Sequence, residues 1–225
     1  MTVAQHSVLC AIMLIAHAIP VEQAIVCRAG AGFTVTSILR IGAALMYGAI
    51  VNWVCAKTGV LSALMDLSWL PQTHVDQDWL SWATATSKSL VLILGIIIGL
   101  HLMLDVLDRV GVTQWMTGAL EPVLRTVGID TRLAPMTVIG MLLGLTYGGG
   151  MIIQSTKEVQ YTPQARFMAL SSLCLLHSLI EDTVLMLAFG ADIWIVLVGR
   201  TAFTMAIVAG MAWAVNQLPK TAHQS

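Results

Sequence analysis

Long apolar runs, separated by short polar breaks, dominate the chain and recur six times. Each run is long enough for an α-helix to cross about 30 Å of hydrocarbon, which takes about 20 residues. Barrel strands need only about 9–11 residues of alternating polarity, so the pattern favours helices. The sequence predicts an all-α, polytopic membrane protein, a single membrane domain with about six membrane segments, at 7–28, 33–56, 87–107, 133–155, 166–189 and 192–216.

Two connections between these segments are long. Residues 57–86 mix Trp69, Trp79 and Trp82 with aspartates, which is typical of the membrane–water interface. Residues 108–132 have apolar positions at helical spacing, which predicts an interfacial amphipathic helix or one packed beneath the bundle. The polar tail at 219–225 is expected to be frayed.

Composition excludes the soluble classes. Apolar residues make up 57% of the chain and charged residues only 10%, where a soluble domain has about 25% charged residues. The net charge is −1 with no basic patch, so the expected partner is the lipid bilayer and no nucleic acid polymer. The four cysteines form no CxxC motif, and the lysines and arginines divide too evenly between the two faces to set an orientation. An apparent cleavage site at 16–18 follows a stretch without Lys or Arg, so we expect a membrane segment there and no signal peptide.

The first and last pairs of segments repeat each other. His17 and His177 are 177 − 17 = 160 residues apart, and at that same offset Glu22 matches Asp182. Residues 7–56 and 167–216 therefore form an expected internal repeat of a helical hairpin. The other matches at this offset are Gly30 with Gly190, Ala31 with Ala191, Arg40 with Arg200, Ala49 with Ala209 and Trp53 with Trp213.

Internal repeats are common in transporters, whose substrate sites tend to lie at the repeat interface. Four full crossings would make the two hairpins parallel, whereas one re-entrant segment between them would make them inverted. The glycine-rich segment 133–155 is the best re-entrant candidate. Nothing equivalent to 87–155 precedes the first hairpin. The expectation is either that half of the ancestral unit was lost or that this chain is an N-terminally shortened version of a longer permease, with oligomerisation as a way to compensate.

Charged groups inside membrane segments are costly, so each needs an explanation. His17, with Glu22 beyond Pro20, forms one polar group, and His177 with Glu181 and Asp182 forms the second. Together they predict a polar core that binds solute, a cation or a coupling proton. The alternative is structural, with intra-hairpin ion pairs that join Glu22 to Arg40 and Asp182 to Arg200.

Glycines provide the second candidate feature. Gly148, Gly149 and Gly150 would each weaken a helix by about 1 kcal/mol relative to Ala, and a break there would expose backbone groups to a cavity. Tyr147 and Gln154 lie nearby as substrate-binding candidates, with helix packing as the alternative role. A third group, His101, Asp105 and Asp108, shares one helix face near a solvated helix end. Histidines with carboxylates can bind several divalent ions, so the sequence allows a metal centre, although no dense ligand motif indicates one. No cofactor is expected.

The stretches GMLLGLTYGGGMII at 140–153 and HSLIEDTVLMLAFGADIWIVLVGR at 177–200 resemble the nucleoside-recognition, or Gate-domain, membrane proteins. These are related to domains of concentrative nucleoside transporters, spore-maturation proteins and ferrous-iron permeases. The resemblance implies a transporter of the bacterial inner membrane, with the glycine triplet, His177, Glu181 and Asp182 as site residues.

The sequence thus predicts a secondary transporter for a small polar solute or a cation, with the substrate open. The alternative is a non-transporting membrane subunit that needs a partner chain. An enzyme is not expected, because the chain has no Walker A loop, nucleophile elbow or HExxH motif.

Overall fold

The structure, a computed structural model, describes residues 1–66 and 79–217. These residues form α-helices, with one π-helix and an isolated bridge between Thr2 and Leu64. The expected all-helical fold class is therefore confirmed for the described residues. In chain order the helices are α1 (Val3–Ala16), α2 (Ile19–Arg28), α3 (Phe33–Thr58), α4 (Trp79–Arg109), α5 (Val112–Thr126), α6 (Ala134–Leu143), α7 (Leu145–Glu158), α8 (Pro163–Leu175), α9 (Glu181–Ala188), the π-helix (Trp194–Gly199) and α10 (Arg200–Gln217).

Four stretches are long and apolar enough to cross a membrane: Val3–Arg28, Phe33–Thr58, Trp79–Arg109 and Trp194–Val215. They correspond to four of the six expected segments. The third is longer than predicted, because the helix already begins at Trp79, in what we expected to be a connection. The rest of that connection, 67–78 with Trp69, and the expected frayed tail at 219–225 lie outside the described residues.

The segment expected at 133–155 is a helical hairpin. Gly144 separates α6 from α7 with a φ of +110°, a conformation that favours glycine. Residues eight apart in a straight helix lie about 12 Å from each other. Here a Cβ added to Gly140 would lie 2.7 Å from the Cα of Gly148, so the two helices fold back on each other.

The prediction that the helix breaks at the glycine triplet is therefore wrong. Gly148, Gly149 and Gly150 all lie inside α7, and the chain breaks at Gly144 instead. Gly148 packs against Gly140, and Gly149 lies against Ile25 of α2. Gly148 and Gly149 permit close helix approach, because their missing side chains leave room for neighbouring backbone and side chains, whereas Gly150 has no such neighbour within 4 Å.

The segment expected at 166–189 is also interrupted. α8 ends at Leu175 and α9 begins at Glu181, with irregular backbone between them. The first segment has a similar break, at His17 and Ala18 between α1 and α2. In the two broken segments, α1 packs on α3 and α8 packs on α10.

The main core lies where α6, α7 and α8 meet, and α2, α5 and α10 contribute to it. Its fully buried residues include Leu133, Val138, Leu142, Ile152 and Leu170. Large apolar side chains are also exposed on the outer faces, and Val91 of α4 is 69% exposed. Exposed apolar faces on membrane-length helices suit contact with lipid.

Candidate functional site

The two helix breaks meet, and four polar side chains converge there. The rings of His17 and His177 have centroids 5.0 Å apart. The Nε2 atom of His177 lies 3.2 Å from Oε1 of Glu22, and Nε2 of His17 lies 3.7 Å from Oδ2 of Asp182. Each histidine therefore contacts the acid of the other broken helix. Glu22 Oε1 is also 3.5 Å from Nε2 of His17, so one carboxylate oxygen faces both rings.

Proline and a buried arginine account for the first break. Pro20 lies in the first turn of α2, where its missing N–H costs no helix bond. Ala18, at its N-cap, has a left-handed φ of +47°. Arg40 of α3 donates from Nε to the carbonyl of Ile15 at 2.7 Å and from Nη2 to that of His17 at 2.9 Å. These contacts satisfy carbonyls that the broken helix leaves free.

Arg40 also orients the carboxylate. Its Nη1 atom lies 2.5 Å from Oε2 of Glu22, so the expected Glu22–Arg40 pair forms. This contact occupies one carboxylate oxygen, while Oε1 points to the histidines. Arg40 is fully buried, where an unpaired charge would cost several kcal/mol.

The α6–α7 hairpin holds the second break. The backbone N–H of Leu179 donates to the carbonyl of Met141 at 2.7 Å. Ser178 has a φ of +47°, and its hydroxyl lies beside Gly144 at the hairpin tip. The observed break at Gly144 thus lies next to the segment that holds His177. The α6–α7 hairpin therefore supports this site through Met141 and Gly144, and not through the glycine triplet.

Hydrogen bonds fix the tautomers of both histidines. Nδ1 of His177 is 3.1 Å from the carbonyl of Leu173, and Nδ1 of His17 is 3.1 Å from that of Met13. A carbonyl only accepts, so each Nδ1 carries a hydrogen. Each Nε2 of a neutral ring then presents its lone pair to the carboxylates. His177 is 1% exposed, whereas the side chain of His17 is 35% exposed, so the cluster opens on the His17 side.

The second expected ion pair, Asp182 with Arg200, does not form among the described residues. Arg200 is fully buried, and Nη2 lies 3.3 Å from the hydroxyl of Thr183, while Nε and Nη1 have no hydrogen-bond partner there. The π-helix that ends at Gly199 directly precedes it. Tyr47 of α3 donates to the carbonyl of Ile195 in that π-helix at 2.6 Å. π-turns are rare and often mark functional positions, and this one directly precedes the buried Arg200.

Glu181 is not part of the central cluster, which we define as His17, Glu22, His177 and Asp182. In a continuous helix His177 and Glu181, four residues apart, would share one face. The sequence-based expectation of such a pair is wrong, because the helix is unwound between 176 and 180. Glu181 instead lies 3.6 Å from Nδ1 of His101. Both line an open cavity of about 260 Å³, which we call the acidic vestibule and whose other lining residues are Asp105, Asp108, Leu143 and Tyr147.

The other glycine-segment candidates lie away from the cluster. Tyr147 is 65% exposed and lines the acidic vestibule. Gln154 is exposed on α7, and neither residue contacts the histidines among the described interactions.

Sequence reasoning missed several residues that cap or join the helices of the two broken segments. Thr2 and Thr162, also 160 residues apart, are both N-caps and accept from Gln5 and Ala165 respectively. Their spacing is a sequence signal that matches the repeat offset. The buried bond from the hydroxyl of Thr36 to Gln23, at 2.7 Å, gave no such signal.

One known protein is similar to the chain over most of its length. The uncharacterized membrane protein YvoD of Bacillus subtilis (strain 168) is 22% identical over 224 residues, which are 95% of this chain and 69% of the relative. No family model matches the chain, and no solved structure matches it. The membrane-length helices and this relative together define a helical membrane protein.

Proposed function

We propose that this protein is a secondary transporter of the nucleoside-recognition, or Gate, type, which moves a small polar solute or a cation across the bacterial inner membrane. The observation that carries the proposal is the meeting of two helix breaks at His17 and His177. Irregular backbone at membrane depth is tolerated where it lines a cavity or is buried in protein, and transporters use it to bind substrates and ions.

A duplicated hairpin supports the proposal. The broken segments span Val3–Arg28 and Pro163–Ala188, and both of their ends differ by 160 residues, as His17 and His177 do. The left-handed residues Ala18 and Ser178 share that offset and the same φ of +47°. A second copy of one ancestral hairpin accounts for all of these matches.

The hairpins are inverted in this proposal. α1–α2 and α3 cross the membrane as one pair, and α4 crosses once more. α6 and α7 fold back at Gly144 and so add no crossing. The second hairpin therefore starts from the opposite side of the membrane, and the two breaks meet near the bilayer midplane, as in other inverted-repeat transporters.

Arg40 and Arg200 differ in the number of contacts they make, and this difference suggests how the two hairpins would move between states. Arg40 binds two freed carbonyls and Glu22, whereas Arg200, at the matching position, makes one bond. An inward-facing and an outward-facing state related by the repeat symmetry would exchange these roles. In the second state Arg200 binds Asp182 and the carbonyls of the second break, and Arg40 releases Glu22.

The test is transport by purified protein in proteoliposomes. Nucleosides, nucleobases, divalent cations and a proton gradient are applied in turn, and uptake and charge movement are recorded. We expect at least one to move, with the rate at least 10-fold lower in His177→Ala. His6→Ala is the matched control, because His6 lies in α1, which ends directly before His17, about 16 Å away along the axis.

The subunit alternative makes the opposite prediction. A folded wild-type protein that moves neither charge nor any solute of the panel would support a non-transporting subunit. In that case His177→Ala lowers only the melting temperature or the binding of a partner chain.

A further inference from the structure

We infer that the central cluster is a binding site for a divalent first-row transition-metal ion, with Nε2 of His17, Nε2 of His177 and Oε1 of Glu22 as ligands and Asp182 as the fourth. The inference deepens the proposed function by naming the class of substrate or coupling ion, and it rests on that proposal only for the transport of the ion. Binding itself follows from the geometry.

The arrangement of acceptors requires a cation. With both Nδ1 atoms donating to carbonyls, the Nε2 atom of each ring, when the ring is neutral, faces carboxylate oxygens with a lone pair. Two acceptors at 3.2 Å repel each other unless a proton or a metal ion lies between them. His177 is 99% buried, and its Nε2 has no hydrogen-bond partner among the described residues, so bulk water does not relieve the repulsion.

The distances favour a metal ion over a proton. Charge-assisted N–H···O bonds are about 2.7–2.9 Å long. The observed contacts from nitrogen to oxygen are longer, at 3.2, 3.5 and 3.7 Å. Ligands about 2.1 Å from a tetrahedral metal lie about 3.4 Å from each other, which is close to all three. The atoms of His17, Glu22 and His177 all lie within 4.8 Å of one another, so small side-chain rotations complete the coordination.

The surrounding residues also suit a metal site. Histidine ligands usually donate their other ring N–H to a backbone carbonyl, as both histidines do here. Arg40 holds the second oxygen of Glu22, which fixes the carboxylate as outer-shell partners do. Two imidazoles select transition metals over Mg²⁺ and Ca²⁺, which prefer oxygen ligands.

The negative charge of the acidic vestibule suits a positively charged ligand. Its carboxylates Asp105, Asp108 and Glu181 raise the local concentration of cations. Glu181 and Asp182 are adjacent residues of α9, the first lining the vestibule and the second beside His17. The vestibule and the central site therefore share helix α9.

The experiment is a Co²⁺ titration of the purified chain in detergent, followed by the visible d–d absorption of tetrahedral Co²⁺ and by equilibrium dialysis. We expect one Co²⁺ per chain, displaced by Zn²⁺ and not by excess Mg²⁺. Loss of a ligand costs more than loss of an outer-shell partner, which is about 10- to 100-fold in affinity. His17→Ala and His177→Ala should therefore each weaken binding by at least about 100-fold.

His6→Ala serves as the control. His6 lies on α1 away from the cluster, so this variant should keep the tetrahedral spectrum and a Kd within a few fold of wild type. Absence of Co²⁺ binding by folded wild type, or binding that survives both His17→Ala and His177→Ala, overturns the inference. Should His177→Ala fail to fold, His17→Ala alone decides, since His17 is partly exposed.

The two proposals fail in distinguishable ways. Transport of another solute that depends on His177, without Co²⁺ binding, rejects the metal site and keeps the transporter. Tight Co²⁺ binding without any flux keeps the metal site and favours a membrane subunit.

Discussion

Ala18 and Ser178 adopt the same left-handed backbone conformation, with φ of +47°, where the helix is interrupted between α1 and α2 and between α8 and α9. Each follows a histidine of the central cluster, and the two residues are 160 positions apart. A left-handed conformation is unfavourable for residues other than glycine, by about 1–2 kcal/mol. Two such conformations at matching positions show that the breaks are held in place by their surroundings, on one side by Arg40 and on the other by the α6–α7 hairpin.

The first prediction concerns Ala18. Ala18→Gly should leave the melting temperature unchanged or raise it, because glycine adopts positive φ without strain. Ala24→Gly is the control, at an exposed position inside α2, and should lower stability by about 1 kcal/mol. A loss in Ala18→Gly as large as in Ala24→Gly would show that position 18 is helical.

The second prediction separates two glycines of the triplet. A Cβ at Gly148 would meet the backbone of Gly140 and Met136, so Gly148→Ala should destabilise the α6–α7 hairpin by about 1–3 kcal/mol. Gly150 has no neighbour within 4 Å of its added Cβ, so Gly150→Ala should be neutral or stabilising by up to about 1 kcal/mol. Thermal melts of both variants in detergent decide between this hairpin and a break at the triplet, where both substitutions would be costly.

The third prediction compares the two buried arginines. Arg40→Gln removes the partner of Glu22 and of two carbonyls and should cost about 3–5 kcal/mol. Arg200→Gln loses one bond of 3.3 Å and should cost clearly less. Equal losses in thermal unfolding would mean that the two arginines are equally engaged, contrary to the asymmetry on which the exchange of roles depends.

A fourth prediction tests the π-helix. Tyr47→Phe removes the hydroxyl that binds the carbonyl of Ile195 and should lower stability by about 1–3 kcal/mol. Tyr147→Phe, at an exposed hydroxyl in the vestibule, should leave the melting temperature within experimental error. If both tyrosines tolerate the change equally, the π-helix does not depend on Tyr47.

Apolar runs predicted the class of fold and the places of four long helices, since length and hydropathy are local properties of the sequence. They could not locate the breaks. Pro20 hinted at the first break, but nothing local distinguishes Leu176–Ile180 from continuous helix, because that break depends on the bond from Leu179 to Met141. The glycine break illustrates the same limit, since helix propensity points to the triplet whereas close packing of Gly140 on Gly148 fixes the turn at Gly144.

Part of the candidate site could be predicted in the same way. The rarity of charge in membrane segments singled out His17, Glu22, His177 and Asp182, which the structure brings together. Helical spacing then assigned Glu181 to the wrong partner, because the segment before it is not helical. Which histidine contacts which acid depends on how the two hairpins cross, and no local pattern contains that information.

The central claim is that the two broken helices enter the membrane from opposite sides and meet at the site. Arg28 and Ala188 are exposed and occupy matching ends of the two broken segments, so single cysteines there report the side on which each segment ends. Arg28→Cys and Ala188→Cys are made separately in a chain with Cys27 and Cys55 replaced by Ser, and intact cells are treated with a membrane-impermeant maleimide. The account predicts that one position is labelled in intact cells and the other only after permeabilisation. Labelling of both positions from the same side would contradict it.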